Sequence, residues 1–504
     1  MAAMLVREAH LVGLDGEAER VADVRLEGGL IAEVGRRLRS YGEPELDAAG
    51  CWLIPGLWDA HVHATQWVRS LGWIDVAGCA GPEQACARIA TALAGRPDDG
   101  RLITAFGFRA TAWPRAGTVA ELDAATGARP VVVMSGDAHC GWLNSAALTR
   151  LGLPPRTGPL TENDWFAVAA QVNALPEAQP TLAELHAAVA RLSARGLVGI
   201  VDMEFSDAYL AWPRRVSDGV RGLRVRASVY PHQLDEVIAR GWRTGDALPG
   251  GDGLVTMGPL KIISDGSLGT RTAWCCAPYL GMAADDPHPC GAANYDHPTL
   301  ATLLTRTREA GLAVAVHAIG DRANQVALDV LAEAGVTGSI EHAQLLRRED
   351  VARFAALGVT ASVQPAHLID DRDMANRVWA DRTDRLFPVR SLLDAGARLA
   401  LGSDAPVAEP DPWLAIAAAV HRSGDDRPAW HPEESVTPRE ALAASVDGQR
   451  LVPGAPGDLV LLGADPLWQG DSAAETAASL RSMPVRATIV AGRPTYLAMA
   501  GGAG

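Results

Sequence analysis

One lysine stands among 504 residues: 44 of the 45 basic side chains are arginine, and the exception is Lys261, in Val255-Thr-Met-Gly-Pro-Leu-Lys-Ile-Ile-Ser-Asp-Gly266. Arginine stays protonated in proteins, whereas a lysine amine in a desolvated pocket can become neutral and nucleophilic. Two chemistries suit such an amine near the end of an apolar strand. One is a Schiff base with a carbonyl substrate; the other is addition to carbon dioxide, giving a carbamate that bridges two metal ions. A leftover surface charge is the competing reading, and the neighbouring residues have to decide.

Histidines and carboxylates supply that context. In Asp59-Ala-His61-Val-His63 two imidazoles at i and i+2 on a strand point to one side, so His61 and His63 can hold one ion together. His317, in Val314-Ala-Val-His-Ala-Ile-Gly-Asp321, and His342, after Glu341, each close an apolar run and can hold a second ion. A carbamate on Lys261 adds negative charge between two divalent ions, and Asp404 in Gly402-Ser-Asp-Ala-Pro406 adds a carboxylate. Paired ions generate hydroxide near neutral pH and polarise a carbonyl, so hydrolysis is the reaction this set serves. Singly, each piece has a plainer reading: His-x-His recurs by chance, an isolated histidine is often hydrogen-bonded core, and Asp404 or Asp321 suits a cap. Together they fall where one fold would gather them.

That fold is read from the apolar runs. Segments 57–61, 198–204, 224–230, 257–263, 312–317, 339–342, 359–363 and 398–404 read as eight strands. Alanine-rich helical stretches at 182–195, 300–310, 321–334 and 348–356 fall between them. The alternation predicts an α/β fold, a (β/α)8 barrel of the TIM type, whose working residues sit at the C-terminal strand ends. Residues from about 65 to 180 break the alternation, carry two extra apolar runs at 102–108 and 130–135, and read as an insertion after the first strand. Both chain ends are strand-rich, with a hairpin turn at Gly28-Gly29 and further strands at 457–463 and 485–492. A small β-sandwich domain built from both ends, 1–55 and 446–504, is expected to flank a barrel at 56–445.

Composition narrows the partners. A formal net charge of −15 without a basic patch argues against nucleic acid or an anionic membrane as the main partner. Charge appears too early for a signal-peptide core and no run reaches membrane-span length, so a cytoplasmic location is expected. Seven cysteines without a Cys-x-x-Cys pair read as reduced thiols, with Cys275-Cys276 assigned to packing.

Pro55-Gly-Leu-Trp-Asp-Ala-His-Val-His63 resembles the opening motif of the amidohydrolase superfamily. Further matches are Ser135-Gly-Asp-Ala-His-Cys-Gly-Trp-Leu-Asn-Ser-Ala-Ala-Leu148, Leu260-Lys-Ile-Ile-Ser-Asp-Gly-Ser-Leu-Gly-Thr-Arg-Thr-Ala273, His317-Ala-Ile-Gly-Asp-Arg-Ala323, Ile340-Glu-His-Ala-Gln344 and Gly402-Ser-Asp-Ala-Pro406. These resemble the branch containing N-substituted formamide deformylases, over nearly the whole chain. The resemblance implies a metal-dependent hydrolase of carbon–nitrogen bonds other than peptide bonds, with one or two divalent ions per chain, usually zinc. It makes His61 and His63 ligands of a first ion and His317 and His342 ligands of a second, with Lys261 the bridge carboxylated by carbon dioxide. Asp404 becomes a metal ligand and general base, passing a proton from water to the departing amine.

His139 would face the substrate and donate to its carbonyl oxygen, or make a structural hydrogen bond; Ala138 and Cys140 beside it stand where the branch has glycine and serine. Trp58, Trp67, Trp73, Trp113 and Trp142 suggest an aromatic-walled pocket for an apolar N-substituent, with Trp113 the substrate contact. Asp265 and Arg271 would shape its floor, or serve a salt bridge or turn. The expected partner is a small-molecule amide, with homo-oligomerisation left open. Two other readings keep the fold: a lyase using Lys261 as a Schiff base, and a non-catalytic scaffold.

Overall fold

The computed structural model describes residues 3–14, 20–108, 113–136, 140–175, 179–282 and 285–498. Eight parallel strands form its central sheet: β1 (Leu57–Val62), β2 (Leu197–Asp202), β3 (Arg224–Val229), β4 (Val255–Ile263), β5 (Val314–Ala318), β6 (Gly338–His342), β7 (Thr360–Val363) and β8 (Arg398–Leu401). Each pairs with its neighbour in chain order from β1 to β8. Such strands are covered on both faces, which is why Leu-Val-Gly-Ile-Val-Asp of β2 is buried throughout.

Gly199 in β2 is required by packing, since a Cβ there would lie 2.5 Å from the Trp58 ring on β1. The ends of β1 and β8 meet through a parallel bridge between Val62 and Ala405, with Asp404 N donating to His61 O at 2.7 Å and His63 N to Ala405 O at 2.9 Å. Asp59 reinforces this seam: Oδ1 accepts from His61 N at 3.1 Å and from Ser403 N at 2.9 Å. The strands thus make a nearly closed barrel, with helices such as His297–Glu309, Asp321–Ala334 and Arg348–Leu357 between them.

At their C-terminal ends two strands differ from the sequence reading by more than one residue. The second strand stops at Asp202 and the eighth at Leu401, so Glu204 and Asp404 lie in the loops that follow. At Asp404 the cause is visible, since φ is +57° and no longer extended.

Strands from both chain ends join in a second eight-stranded sheet. In spatial order it runs Arg493–Leu497, Val485–Val490, Leu459–Leu462, Trp52–Pro55, Ala3–Leu11, Arg20–Glu27 and Leu30–Gly35, with Glu45–Asp47 beside Ala3–Leu11. The pairing makes one continuous ladder. Gly28 and Gly29 turn the hairpin with φ of +61° and +84°, the signs a two-residue hairpin turn demands. Val6, Val24, Leu26, Leu53, Leu459 and Ile489 form the core of this sheet.

Residues 65–185 form a compact unit of their own. Its five-stranded sheet runs Leu160–Thr161, Cys140–Leu143, Val131–Ser135, Ile103–Phe108, Ile74–Asp75. Two apolar clusters pack on it, one holding Trp113 and Trp142, the other Trp165 and Leu148.

Candidate metal centre

The C-terminal ends of β1, β4, β5, β6 and β8 bring the predicted residues together. His61 is 1% exposed and its Nδ1–H donates to Glu341 Oε2 at 2.8 Å; Ser339 Oγ donates to the other carboxylate oxygen. That bond fixes the tautomer, so the lone pair is on Nε2. Nε2 faces Lys261 Nζ at 3.2 Å and Asp404 Oδ1 at 3.4 Å. Burial, with Lys261 adding to it, pushes the His61 imidazole down to about 4, so it is neutral near pH 7. His63 Nε2 lies 3.3 Å from the same Asp404 Oδ1, and its ring stacks on Phe205 at 5.1 Å.

Lys261 is buried on β4. Burial lowers its amine to about 8, against the opposing pull of the Glu341 and Asp404 carboxylates. The neutral amine is therefore accessible near physiological pH, and that is the form able to add to carbon dioxide or a carbonyl.

His317 and His342 close β5 and β6 with ring centroids 4.5 Å apart, edge to face. His317 Nε2 is 3.2 Å from Gly266 O and 3.3 Å from Asp265 Oδ1. The His342 ring is 5.1 Å from that of His61, and its backbone is left-handed, φ +72°, followed by Ala343 at +43°. Burial and the neighbouring His317 push the His342 imidazole well below its ordinary value. Burial alone would raise the Asp404 carboxyl; the surrounding imidazoles, His61 foremost, outweigh it and hold the carboxyl well below the usual range.

These residues suit a divalent ion. One ligand atom each from His61, His342 and Asp404 lie within 4.8 Å of one another. Two ligands about 2.1 Å from a tetrahedral ion stand about 3.4 Å apart, close to the 3.3 and 3.4 Å from Asp404 to His63 and His61. Nδ1 of His63 and of His342 are buried with no hydrogen-bond partner among the described residues, as expected of nitrogens whose role is not structural hydrogen bonding.

Sequence reasoning missed two members. Glu341 was read only as the neighbour of His342, yet it is the carboxylate that orients His61. His367 begins the helix His367–Val378 just after β7. Its Nε2 is buried without a hydrogen-bond partner among the described residues and lies 3.9 Å from Asp404 Oδ2, and its ring stacks on His342 at 6.1 Å. A histidine four residues past an apolar strand was the available signal.

The expected substrate contacts fare differently. Trp113 packs in the core: it is 8% exposed in the 65–185 unit, against Phe108 and Trp142, with its indole N–H donated to Cys79 O at 2.8 Å. Trp142 is likewise core. Asp265 is fully buried; its carboxylate accepts from Trp274 N, Ile319 N and Gly320 N and faces His317, so it is a structural clamp rather than a substrate contact. Arg271 is exposed, φ +58°, and directs its guanidinium at the sulfur of Met282. His139 lies outside the described residues. Cys275 is buried and Cys276 exposed, both as free thiols. Among the described residues, no helix is long and apolar enough to cross a membrane.

Comparison with known proteins agrees with this geometry. A family profile described as "Amidohydrolase family" matches residues 45–496. YtcJ of Bacillus subtilis (strain 168), an amidohydrolase by name, is 26% identical over 531 aligned residues, covering 95% of this chain and 97% of its own. The N-substituted formamide deformylase of Arthrobacter pascens is 25% identical over 483 residues, 87% of each chain. The crystal structure of an uncharacterized metal-dependent hydrolase from Pyrococcus horikoshii superposes with a TM-score of 0.77 at 26% identity, over 93% of this chain and 99% of that one.

Proposed function

The chain belongs to the amidohydrolase family, and from that premise we propose that this metal-dependent hydrolase cleaves an amide-type carbon–nitrogen bond in a small molecule. N-substituted formamides come first as the substrate class, because of the Arthrobacter pascens relative, and cyclic amides second. One observation carries the reading: neutral His61, His342 and ionised Asp404 converge within 4.8 Å beside a buried lysine.

His61, His63, His317, His342 and Asp404 would hold divalent ions, zinc by expectation, one or two per chain. When bound, such an ion supplies Lewis acidity and an acidified water. Lys261 Nζ adds to carbon dioxide and loses a proton, and the resulting carbamate would bridge two ions. Its place 3.2 Å from His61 Nε2 supports that role over a Schiff base, which would leave the histidines idle. Asp404 takes a proton from the attacking water and returns it to the departing nitrogen. His367 Nε2, with no hydrogen-bond partner among the described residues, would donate to the substrate's carbonyl oxygen as charge develops there, the role the sequence suggests for His139.

Elemental analysis of chelator-free protein, followed by a panel of formamides, acyl amines and cyclic amides, tests this. About two equivalents of metal and turnover on the panel are expected, with both lowered in Lys261→Ala. Full metal content and turnover in that variant refute the carbamate. A chain that neither contains nor takes up metal refutes the hydrolytic reading.

A further inference from the structure

The 65–185 unit has a cavity of about 290 Å³ that takes no part in the metal centre. Arg69, Arg96, Arg101 and Arg129 line it, with Asp99 and Glu184 the only carboxylates among its described lining residues. Asp99 pairs within the lining with Arg101 at 3.3 Å, whereas Glu184 accepts from Thr181 N and Oγ at 2.7 and 2.8 Å. Four cationic and two anionic side chains leave the lining at plus two, in a chain whose net charge is −15.

Backbone carbonyls hold two of these guanidinia, those of Arg96 and Arg129, in place. Arg96 Nη1 donates to Gly72 O at 3.2 Å; Arg129 donates through Nη1 to Leu93 O at 2.8 Å and through Nη2 to Pro97 O at 2.7 Å. Neither makes an ion pair among the described residues, although acidic residues outnumber basic ones, 60 to 45. Clamping the carbonyls at the end of the helix Pro82–Ala94 accounts for the Nη atoms of Arg129. It does not account for Nε, which is buried with no hydrogen-bond partner among the described residues. Fixed guanidinia with uncompensated charge are the standard recognition element for carboxylate and phosphate. The other walls are apolar: Trp73, with Arg69 over its ring at 6.0 Å, and Leu102, Val172 and Leu175.

We propose that this cavity is a second binding site, taking a small organic anion whose carboxylate or phosphate meets Arg96 and Arg129 and whose flat apolar body lies against Trp73. The volume admits a compact molecule, at the lower end of ligand pockets. The site stands apart from the hydrolytic reading and does not depend on it.

Calorimetric titration of the metal-loaded protein with benzoate, phenyl phosphate and inorganic phosphate tests the proposal. A ring-bearing anion should bind at one site with a dissociation constant of about 1 mM or tighter. Loss of one charged hydrogen bond in Arg96→Gln should weaken it about tenfold or more. Arg129→Gln risks the helix clamp, so Arg129→Lys, which keeps the charge but loses the planar fork of donors, is the second variant and should also weaken binding. Preference for benzoate or for phenyl phosphate identifies the anionic group. Inorganic phosphate binding as tightly as phenyl phosphate overturns the apolar half of the proposal. No saturable binding, or binding unchanged in both arginine variants as expected of anions on the metal centre, overturns it entirely.

Discussion

Replacing Glu341 by glutamine isolates what one carboxylate does for the metal centre without touching a ligand. Glu341 Oε2 receives the Nδ1–H of His61 at 2.8 Å, both side chains are about 1% exposed, and the bond aims Nε2 at Lys261 and Asp404. Glutamine keeps the shape and one acceptor oxygen, but loses the charge that raises imidazole basicity. Outer-shell partners of metal-binding histidines are worth about 10–100-fold in affinity, or about 1.4–2.7 kcal/mol. Zinc affinity, measured by competition with a chromophoric chelator, should therefore fall by about that factor while circular dichroism stays unchanged. The alanine variant should lose more, because His61 Nδ1–H is then left buried without an acceptor, at about 1–3 kcal/mol of folding stability. Wild-type zinc affinity in Glu341→Gln would refute the assignment of His61 as a ligand through Nε2.

Three further outcomes follow from the same geometry. His367→Asn should lower kcat by about 10²–10³ while metal content stays at the wild-type level; loss of metal instead would make His367 a ligand. In the metal-free protein, His61 sits at about 4 against about 6.5 unfolded, so the unfolded chain binds the extra proton between those values. Its contribution is complete above pH 6.5 and falls by about 3 kcal/mol as pH drops toward 4. Asp59, raised to about 6 by burial, acts in the opposite sense, so the test is the difference in slope between wild type and His61→Asn in denaturant titrations at pH 7.5 and 5. Identical slopes refute the shift. Gly199→Ala places a methyl 2.5 Å from the Trp58 ring and should cost about 1–3 kcal/mol, seen as a lower melting temperature; an unchanged one refutes the packing argument.

The barrel strands were legible because a parallel sheet covered on both faces leaves dense apolar runs. His61 and His63 were legible because strand periodicity puts i and i+2 on one face. The same periodicity hid Glu341: adjacent residues on a strand point to opposite faces, yet Glu341 and His342 both reach His61. The left-handed turn at His342, φ +72°, re-aims the second side chain, and no residue type announces such a turn when the residue is not glycine. Asp404 was found although it stands in the loop past β8, because Gly-Ser-Asp-Ala-Pro is a recognisable string; His367, on a helix, has no comparable spacing. Trp113 misled for a different reason. Tryptophan is amphipathic, and whether it faces a core or a cavity depends on where its N–H finds an acceptor, here Cys79 O, on a separate segment of the unit.

The seam between β1 and β8 fixes when this centre can exist. Asp59 and Ser403 are 344 residues apart in the chain, and His61 and Glu341 are 280 apart. A chain emerging from the ribosome presents His61 and His63 long before Glu341, and Asp404 later still, so a centre that draws on all of these residues could assemble only after Asp404 is made. Contacts of such long sequence separation form slowly. Until then the His-x-His pair stands without the carboxylates that the fold later brings to it, so assembly of the centre would report completion of the barrel.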